Sequence, residues 1–388
     1  MNNQRLLAAL LGGALSVSAL LGACNGSEDS SEPSSDSNLG GETGAGGDQH
    51  TLPGITGPGV NLSIEEIEVT DDHVATVEFK VSDDEGRPLD IDGKVSQGAI
   101  SVSFVLSWLD ETDEGESDQY VAYTLREKED PDGGSETQSS TDSGGSYERI
   151  ALGHYRYTLG SEIKINEKRS VLTHTLGLYA TREVDGTRFV ATELESWVPD
   201  GSEVSTVLDV VSDSACNSCH TRLEFHGGSR RGVGMCNLCH TEKNSINPES
   251  GNTIDFQVMI HKIHMGNQLP SVVAGAPYYF IGYQGHRADY SEVAYPWDMK
   301  DCTKCHQGSE GDRWETRPTL KPCASCHDRT WFKAGDPPEG WTAHTAGPRD
   351  DSECHVCHAE DSLEPISKSH KTSLTDVDRP EIIAQILN

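Results

Sequence analysis

The chain is 388 residues long, with 34% hydrophobic, 6% aromatic and 24% charged side chains and a formal net charge of -33 at pH 7. So negative a surface excludes nucleic-acid binding, which needs cationic side chains to displace counterions, and the length accommodates two or three domains. The hydrophobic content is low for a globular chain, so something other than side chains has to fill part of the interior.

Residues 1–23 read as a signal peptide: Arg5, then an apolar run from Leu6 to Leu21 broken by Gly12 and Gly13, too short and glycine-rich for a membrane span. The sequence Leu21-Gly22-Ala23-Cys24 resembles a bacterial lipobox, which implies acylation of Cys24 and membrane attachment by lipid. Asn25, where Asp would favour inner-membrane retention, points to the outer membrane. Residues 24–58 are Ser, Gly, Asp and Glu with little to bury, the composition of a flexible acidic tether.

Residues 59–205 carry 32 acidic against 12 basic side chains, a balance that serves solubility. The fold expected is all-β. Ala75, Val77, Phe79 and Val81 alternate with polar residues, as do Ile100, Val102 and Phe104, then Tyr155, Tyr157 and Leu159, then Leu172, His174, Leu176 and Leu178, the period of half-buried strands. Asp84-Glu85-Gly86-Arg87-Pro88, Asp92-Gly93 and Asp185-Gly186 supply turns. Short strands so spaced predict an antiparallel Greek-key sandwich or barrel. Glu127 to Ser146, with Pro131-Asp132-Gly133-Gly134, reads as a long exposed loop. His174 stands in the apolar register and reads as a core residue. The acidic turn Asp83-Asp84-Glu85 lacks a recognisable Ca²⁺-ligand spacing.

Residues 206–388 hold ten of the eleven cysteines, all in five Cys-x-x-Cys-His pentapeptides: Cys216/Cys219/His220, Cys236/Cys239/His240, Cys302/Cys305/His306, Cys323/Cys326/His327 and Cys354/Cys357/His358. Cysteines so spaced reach the two vinyl groups of one haem, and the adjacent histidine falls under the iron as its proximal ligand. Zinc does not require histidine after every second cysteine, and disulfides do not require it at all. Five covalently attached c-type haems are expected. Seven histidines remain in this segment (His226, His261, His264, His286, His344, His355 and His370), enough for a distal ligand on every iron with two to spare. Irons closed on both faces carry electrons and have no free face for a substrate. A helix from Ile254 to Met265, capped by Thr253 and ended by Gly266, would place His261 and His264 at i and i+3, pointing toward neighbouring haems.

Cys216 to His240 with His226-Gly227-Gly228-Ser229-Arg230, Met259-Ile260-His261-Lys262-Ile263-His264-Met265-Gly266, Tyr295-Pro296-Trp297-Asp298 and Ile366 to His370 together resemble the OmcA/MtrC family of outer-surface multihaem cytochromes. Gly86-Arg87-Pro88-Leu89 and Gly153-His154-Tyr155-Arg156-Tyr157 are similar to that family's β-domain. The resemblance implies a β-domain followed by a mostly α and irregular pentahaem domain, lipid-anchored at the outer membrane and facing the cell exterior. Its implied role is passing respiratory electrons to Fe(III) or Mn(IV) minerals, flavins, partner cytochromes or a porin–cytochrome conduit. It also implies distal ligands His226, His261, His264, His344 and His370; His286 is the rival, and His355, inside its own motif, is expected to point away. Family members repeat the two-domain unit and carry ten haems. One unit here, half that architecture, leaves room for a self-associating role such as a cytochrome filament subunit. A multihaem oxyanion reductase is the remaining alternative, disfavoured by the supply of distal histidines.

Overall fold

A computed structural model describes residues 56–111, 118–347 and 351–370; the expected signal segment, Cys24 and almost all of the tether lie outside the described residues. Ten strands come first: β1 (Asn61–Val69), β2 (Ala75–Ser82), β3 (Ile100–Asp110), β4 (Gln119–Ala122), β5 (Leu125–Glu129), β6 (Ser135–Ser139), β7 (Ser146–Ala151), β8 (His154–Thr158), β9 (His174–Val184) and β10 (Thr187–Trp197). They form two antiparallel four-stranded sheets, ordered β1-β2-β8-β7 and β10-β9-β3-β4, with β5 and β6 as a separate hairpin. Val77, Phe79, Tyr155 and Tyr157 from the first sheet meet Phe104, Leu106, Leu176 and Leu178 from the second in one core. The two sheets stay separate, so a sandwich forms and the barrel alternative does not. Asp185 (φ 50°) and Gly186 (φ 75°) make the two-residue turn joining β9 to β10, the left-handed pair that such hairpins need.

The period-two reading holds at β2 and β8, and in β1 the register shifts between Ile64 and Glu66. That bulge moves the inward residues from Leu62 and Ile64 to Ile67 and Val69 and erases the alternation. His174 is fully buried: its Nδ1 donates to the Leu172 carbonyl (3.0 Å) and its Nε2 accepts from the Tyr123 hydroxyl (2.9 Å). Asp83 is 1% exposed and its carboxylate is taken up by the N–H groups of Gly57, Glu85 and Arg87 and by the Arg87 guanidinium, a structural role that leaves it no lone pairs for a cation.

The expected loop from Glu127 to Ser146 is a correction: β5 and β6 pair from Leu125↔Ser139 to Glu129↔Ser135 around the turn at 130–134, and β7 begins at Ser146. The hairpin is polar because it grips polar backbone of the cysteine-rich half. Gln138 donates to the Ile246 carbonyl (2.6 Å), the Ser139 N–H to the Asn244 carbonyl (3.2 Å), and Lys128 pairs with Glu249 (2.9 Å).

After residue 205 the elements are short: α1 (Asp213–Asn217), β11 (Glu224–Phe225), β12 (Arg230–Arg231), α2 (Val233–Cys239), α3 (Phe256–Met265), α4 (Pro270–Val273), β13 (Tyr279–Ile281), β14 (Arg287–Asp289), α5 (Arg313–Thr316), α6 (Leu320–Cys326), β15 (Thr330–Trp331), β16 (Thr342–Ala343), α7 (Asp351–His358) and α8 (Ile366–His370). Helix α2 lies on the outer face of the second sheet, where Met235 and Leu238 pack with Val105, Leu109, Tyr120 and Tyr179. This is why β3 reads as a nearly unbroken apolar run from Phe104 to Leu109: both its faces are covered. A Cβ on Gly177 would come within 2.8 Å of Leu238 and Met235, so glycine in β9 makes room for the helix. Farther along, the buried Asp118 carboxylate accepts from Arg313 (2.7 Å) and Arg317 (3.2 Å).

The core is unevenly supplied. Of the 32 buried hydrophobic residues among those described, 24 precede residue 206, and none lies between Ile281 and His370, a stretch with three of the five cysteine motifs.

Candidate haem sites

The Cys-x-x-Cys-His motifs fold as single turns: α2 and α6 each end on the second cysteine of a motif, and α7 contains the whole fifth one. In the first four, the motif histidine N–H donates to the carbonyl of the first cysteine at 2.9–3.0 Å, as in His220 to Cys216 and His306 to Cys302. Both sulfurs and the imidazole therefore issue from one turn. The ten motif cysteines form no disulfide, and burial pushes the thiols of Cys216 and Cys302 up to about 11 and those of Cys236, Cys323 and Cys326 up to about 12.

The ten cysteines differ in exposure. Cys219 is exposed, whereas the other nine are half-buried. Its motif begins in the five-residue helix α1, which ends at Asn217 and buries only Ala215, and the Ser218 hydroxyl lies 3.9 Å from its Sγ. Cys357 lies in α7, a helix without a buried residue. Its backbone is what anchors it: the Cys357 carbonyl accepts from the Glu364 N–H (2.9 Å) and from the Ser362 hydroxyl, a closure that turns the chain back after the fifth motif.

Each motif histidine faces one further imidazole. Ring centroids lie 6.2 Å apart for His220 and His264, 6.0 Å for His226 and His240, 6.3 Å for His261 and His306, 6.1 Å for His327 and His370, and 6.2 Å for His344 and His358. Two imidazoles on opposite sides of one metal, each bound at about 2.0–2.1 Å with the ring centre about 1.1 Å farther, are separated by roughly 6.2–6.4 Å. The spacing fits an iron between each pair, and it is too wide for direct ring contact.

The donor chemistry fits as well. The Nδ1 of His240 donates to Ile254 (2.8 Å), that of His264 to Ile260 (2.9 Å), that of His344 to Gly347 (3.0 Å), that of His358 to Glu364 (2.9 Å) and that of His370 to Ile366 (3.1 Å), all backbone carbonyls. Donation from Nδ1 fixes the tautomer and leaves the Nε2 lone pair available to a metal. Burial lowers the pKa of His261 and His264, and that of His306 to about 4, which keeps these rings neutral, as ligation requires.

Local sequence explains how the facing histidines are held. The helix expected from Ile254 begins at Phe256: Asp255, not Thr253, is the N-cap, accepting from the Gln257 N–H (3.0 Å), while Thr253 Oγ1 accepts from the Asp255 N–H (3.1 Å) one step earlier. Asp is as good a cap as Thr and stands nearer the first helical residue. Gly266 ends the helix with φ 45°, and its backbone lies so close to Val293 that a Cβ would collide. His261 faces His306 while His264 faces His220, so the two project to different motifs. Lys262, between them, pairs with Asp328 beside His327 (2.8 Å) and ties α3 to the fourth motif. His226 sits at φ 54° in the turn between β11 and β12, a conformation sustained by Gly227 and Gly228. The rival His286 and the spare His355 are both exposed, and neither faces a motif histidine among the described ring pairs.

Five CxxCH turns, each faced by a second imidazole in a segment poor in apolar side chains and packed on a β-sandwich, define a multihaem c-type cytochrome. Residues 208–371 match the family model "Outer membrane cytochrome MtrC/MtrF-like, domains II/IV". Among solved structures, the chain is similar to the outer membrane decaheme cytochrome OmcA (TM-score 0.61, 24% identity, covering 83% of this chain and 49% of that one). It is also similar to MtrC from Shewanella baltica OS185 (TM-score 0.51, 22% identity, 80% and 44%). A comparison with curated proteins finds no match. The cysteine-rich segment thus matches an MtrC/MtrF-like outer-membrane cytochrome domain, and the chain spans about half the length of the two solved relatives. Among the described residues no helix is long and apolar enough to cross a membrane.

Proposed function

We propose that this protein passes electrons along five bis-histidine c-type haems from an outer-membrane respiratory chain to acceptors outside the cell. The observation that carries the reading is the facing of all five motif histidines by a second imidazole at 6.0–6.3 Å. Cys216/Cys219, Cys236/Cys239, Cys302/Cys305, Cys323/Cys326 and Cys354/Cys357 would hold the haems by thioethers, with ligand pairs His220–His264, His240–His226, His306–His261, His327–His370 and His358–His344. When bound, haem supplies reversible one-electron chemistry at iron. The chain's part is to fill both axial positions with neutral imidazoles, so that no coordination site is left for a substrate to be bound and converted. Its backbone carbonyls fix those rings, and its short elements bring five sites together in fewer than two hundred residues.

The match of residues 208–371 to an outer-membrane cytochrome domain supports a place at the outer membrane. Lipidation of Cys24 and a tether over residues 24–58 would hold the protein there facing outward, with Fe(III) or Mn(IV) oxides, flavins or other cytochromes as acceptors and a cytochrome or porin–cytochrome conduit as donor. The sandwich of residues 59–205 would then serve as the support for the haem segment of residues 206–388. The test is His264→Ala, which removes one facing imidazole without touching a cysteine. The expected result is five haems by mass, with one converted from low spin to high spin in the oxidised protein; five low-spin haems in the variant would refute the assigned pairing.

A further inference from the structure

We propose that Tyr295 is a positioning residue shared by two haem sites: its ring sets the plane of the His264 imidazole in the first site, while its hydroxyl rests on the Cys305 sulfur of the third. This builds on the reading of His264 as an axial ligand and of Cys305 as a thioether-bearing cysteine. The Tyr295 and His264 rings meet edge to face, with centroids 5.4 Å apart and planes at 82°, and the Tyr295 hydroxyl lies 4.0 Å from Cys305 Sγ. His264 in turn faces His220 of the first motif across 6.2 Å. One side chain therefore touches the facing ligand of one motif and an attachment sulfur of another.

The Tyr295-Pro296-Trp297-Asp298 stretch is fixed on both sides of the tyrosine. Behind it, the Val293 carbonyl accepts from the Asn267 N–H (3.0 Å) just past the end of α3, and Gly266 leaves no room for a Cβ against Val293. His264 stands two residues before Gly266, so the chain returns onto the helix beside the ligand. Ahead of it, Pro296 restricts Tyr295 to extended backbone. The Trp297 indole N–H donates to the Asp301 carboxylate (2.9 Å) and the Asp301 N–H to the Asp298 carbonyl (3.0 Å), closing the loop immediately before Cys302. The bond from His264 Nδ1 to the Ile260 carbonyl (2.9 Å) fixes one edge of the imidazole but not its rotation about that bond. An aromatic ring packed edge to face limits the rotation, and the 72° between the His264 and His220 planes follows from it. A thioether sulfur accepts a hydrogen bond only weakly, so the ring is the working part and the hydroxyl contact keeps it in place. Helix α3 carries both His264 and His261, which faces His306 of the third motif. Tyr295 thus gives two neighbouring sites a common support, and passing electrons between them depends on how they are held.

The test is paramagnetic resonance of the oxidised, full-length, haem-loaded protein as wild type, Tyr295→Leu, Tyr295→Phe, His264→Ala and the Tyr295→Leu/His264→Ala double variant, with haems counted by mass. Tyr295→Leu is expected to keep every haem low spin while one strongly anisotropic component is lost and replaced by a more rhombic one. Tyr295→Phe, which retains the ring, should keep the wild-type signal. The component that Tyr295→Leu moves should be the one that His264→Ala converts to high spin, so in the double variant Tyr295→Leu should move nothing further. An unchanged spectrum in Tyr295→Leu, an equal change in Tyr295→Phe, or movement of any other component would overturn the proposal. Tyr295→Met, which fills the space without presenting a plane, carries the same expectation if Tyr295→Leu does not fold. If His264→Ala leaves every haem low spin, the ligand pairing has failed; if it converts one haem while Tyr295→Leu moves nothing, the pairing stands and the role of Tyr295 is refuted.

Discussion

Leu238 is one of the two spacer residues between Cys236 and Cys239, and the Leu238→Ala substitution separates its packing from the chemistry of the motif. Its side chain is 0% exposed and packs with Met235, Val105, Leu109, Tyr120 and Tyr179, while its carbonyl accepts from Ser107 Oγ (2.9 Å). Truncation removes three carbon groups worth about 0.8 kcal/mol each, and the rigid sheet below cannot collapse to fill the gap, so a cavity cost brings the loss to about 3–4 kcal/mol. The ligands Cys236, Cys239 and His240 are untouched, so five haems should remain. The assay is equilibrium chemical denaturation of the haem-loaded protein followed by far-ultraviolet circular dichroism, beside Leu363→Ala, whose side chain is 81% exposed and whose loss should stay within about 0.5 kcal/mol. If Leu238→Ala is no more destabilised than Leu363→Ala, the docking of α2 on the sheet is not what holds the second motif in place.

Further predictions concern the rings and the acid side of the stability curve. The imidazole planes of His261 and His306 are 7° apart, whereas those of His327 and His370 are 84° and those of His220 and His264 72° apart. Parallel rings split the iron π orbitals and perpendicular ones leave them nearly degenerate, so His261→Ala should remove a rhombic low-spin resonance and His370→Ala a strongly anisotropic one. Loss of the same signal in both variants would contradict these orientations. Burial lowers the His174 pKa to about 4, against an ordinary value of 6.5. The unfolded chain therefore binds the proton first, and the fold loses about 3 kcal/mol as pH falls from about 6.5 to 4. His174→Gln should flatten denaturation profiles in that window, and an unchanged slope would count against the buried neutral imidazole. Burial alone would raise Asp83, but the Gly57, Arg87 and Glu85 N–H groups and the Arg87 guanidinium outweigh it and hold the carboxylate at about 2. Its stabilisation is complete above pH 3.8 and lost as pH falls through about 2; Asp83→Asn should remove that acid limb, and a wild-type limb in the variant would refute it.

The haem motifs were fully legible in the sequence because thioether attachment demands contiguous residues. Their unequal cover was not: the pentapeptide is the same at every site, and only the fold leaves Cys219 exposed and sets Cys357 in a helix with nothing buried. The facing histidines were legible one by one: His261 and His264 from helical spacing, and His226, His344 and His370 through resemblance. Their pairing was not, because partners stand 14 to 45 residues apart and only the folded path of short elements brings them together. The β5–β6 hairpin was hidden by its composition. A strand pair with Ser, Thr, Glu and Gln on both faces looks like a loop unless its polar partner, here the backbone around Asn244 and Ile246, is known. The phase change in β1 was hidden by one inserted residue. The low hydrophobic content divides accordingly: the sandwich has an ordinary apolar core, and the segment from Ile281 to His370 has almost none of its own, where the interior is expected to be porphyrin.

The central claim is five haems, each closed by two histidines, and the measurement closest to it is a spin-quantified paramagnetic resonance spectrum of the fully oxidised, haem-loaded protein. Low-spin ferric signals summing to five per chain, with no high-spin component, are expected. A high-spin signal, or a low-spin total below five, would contradict it.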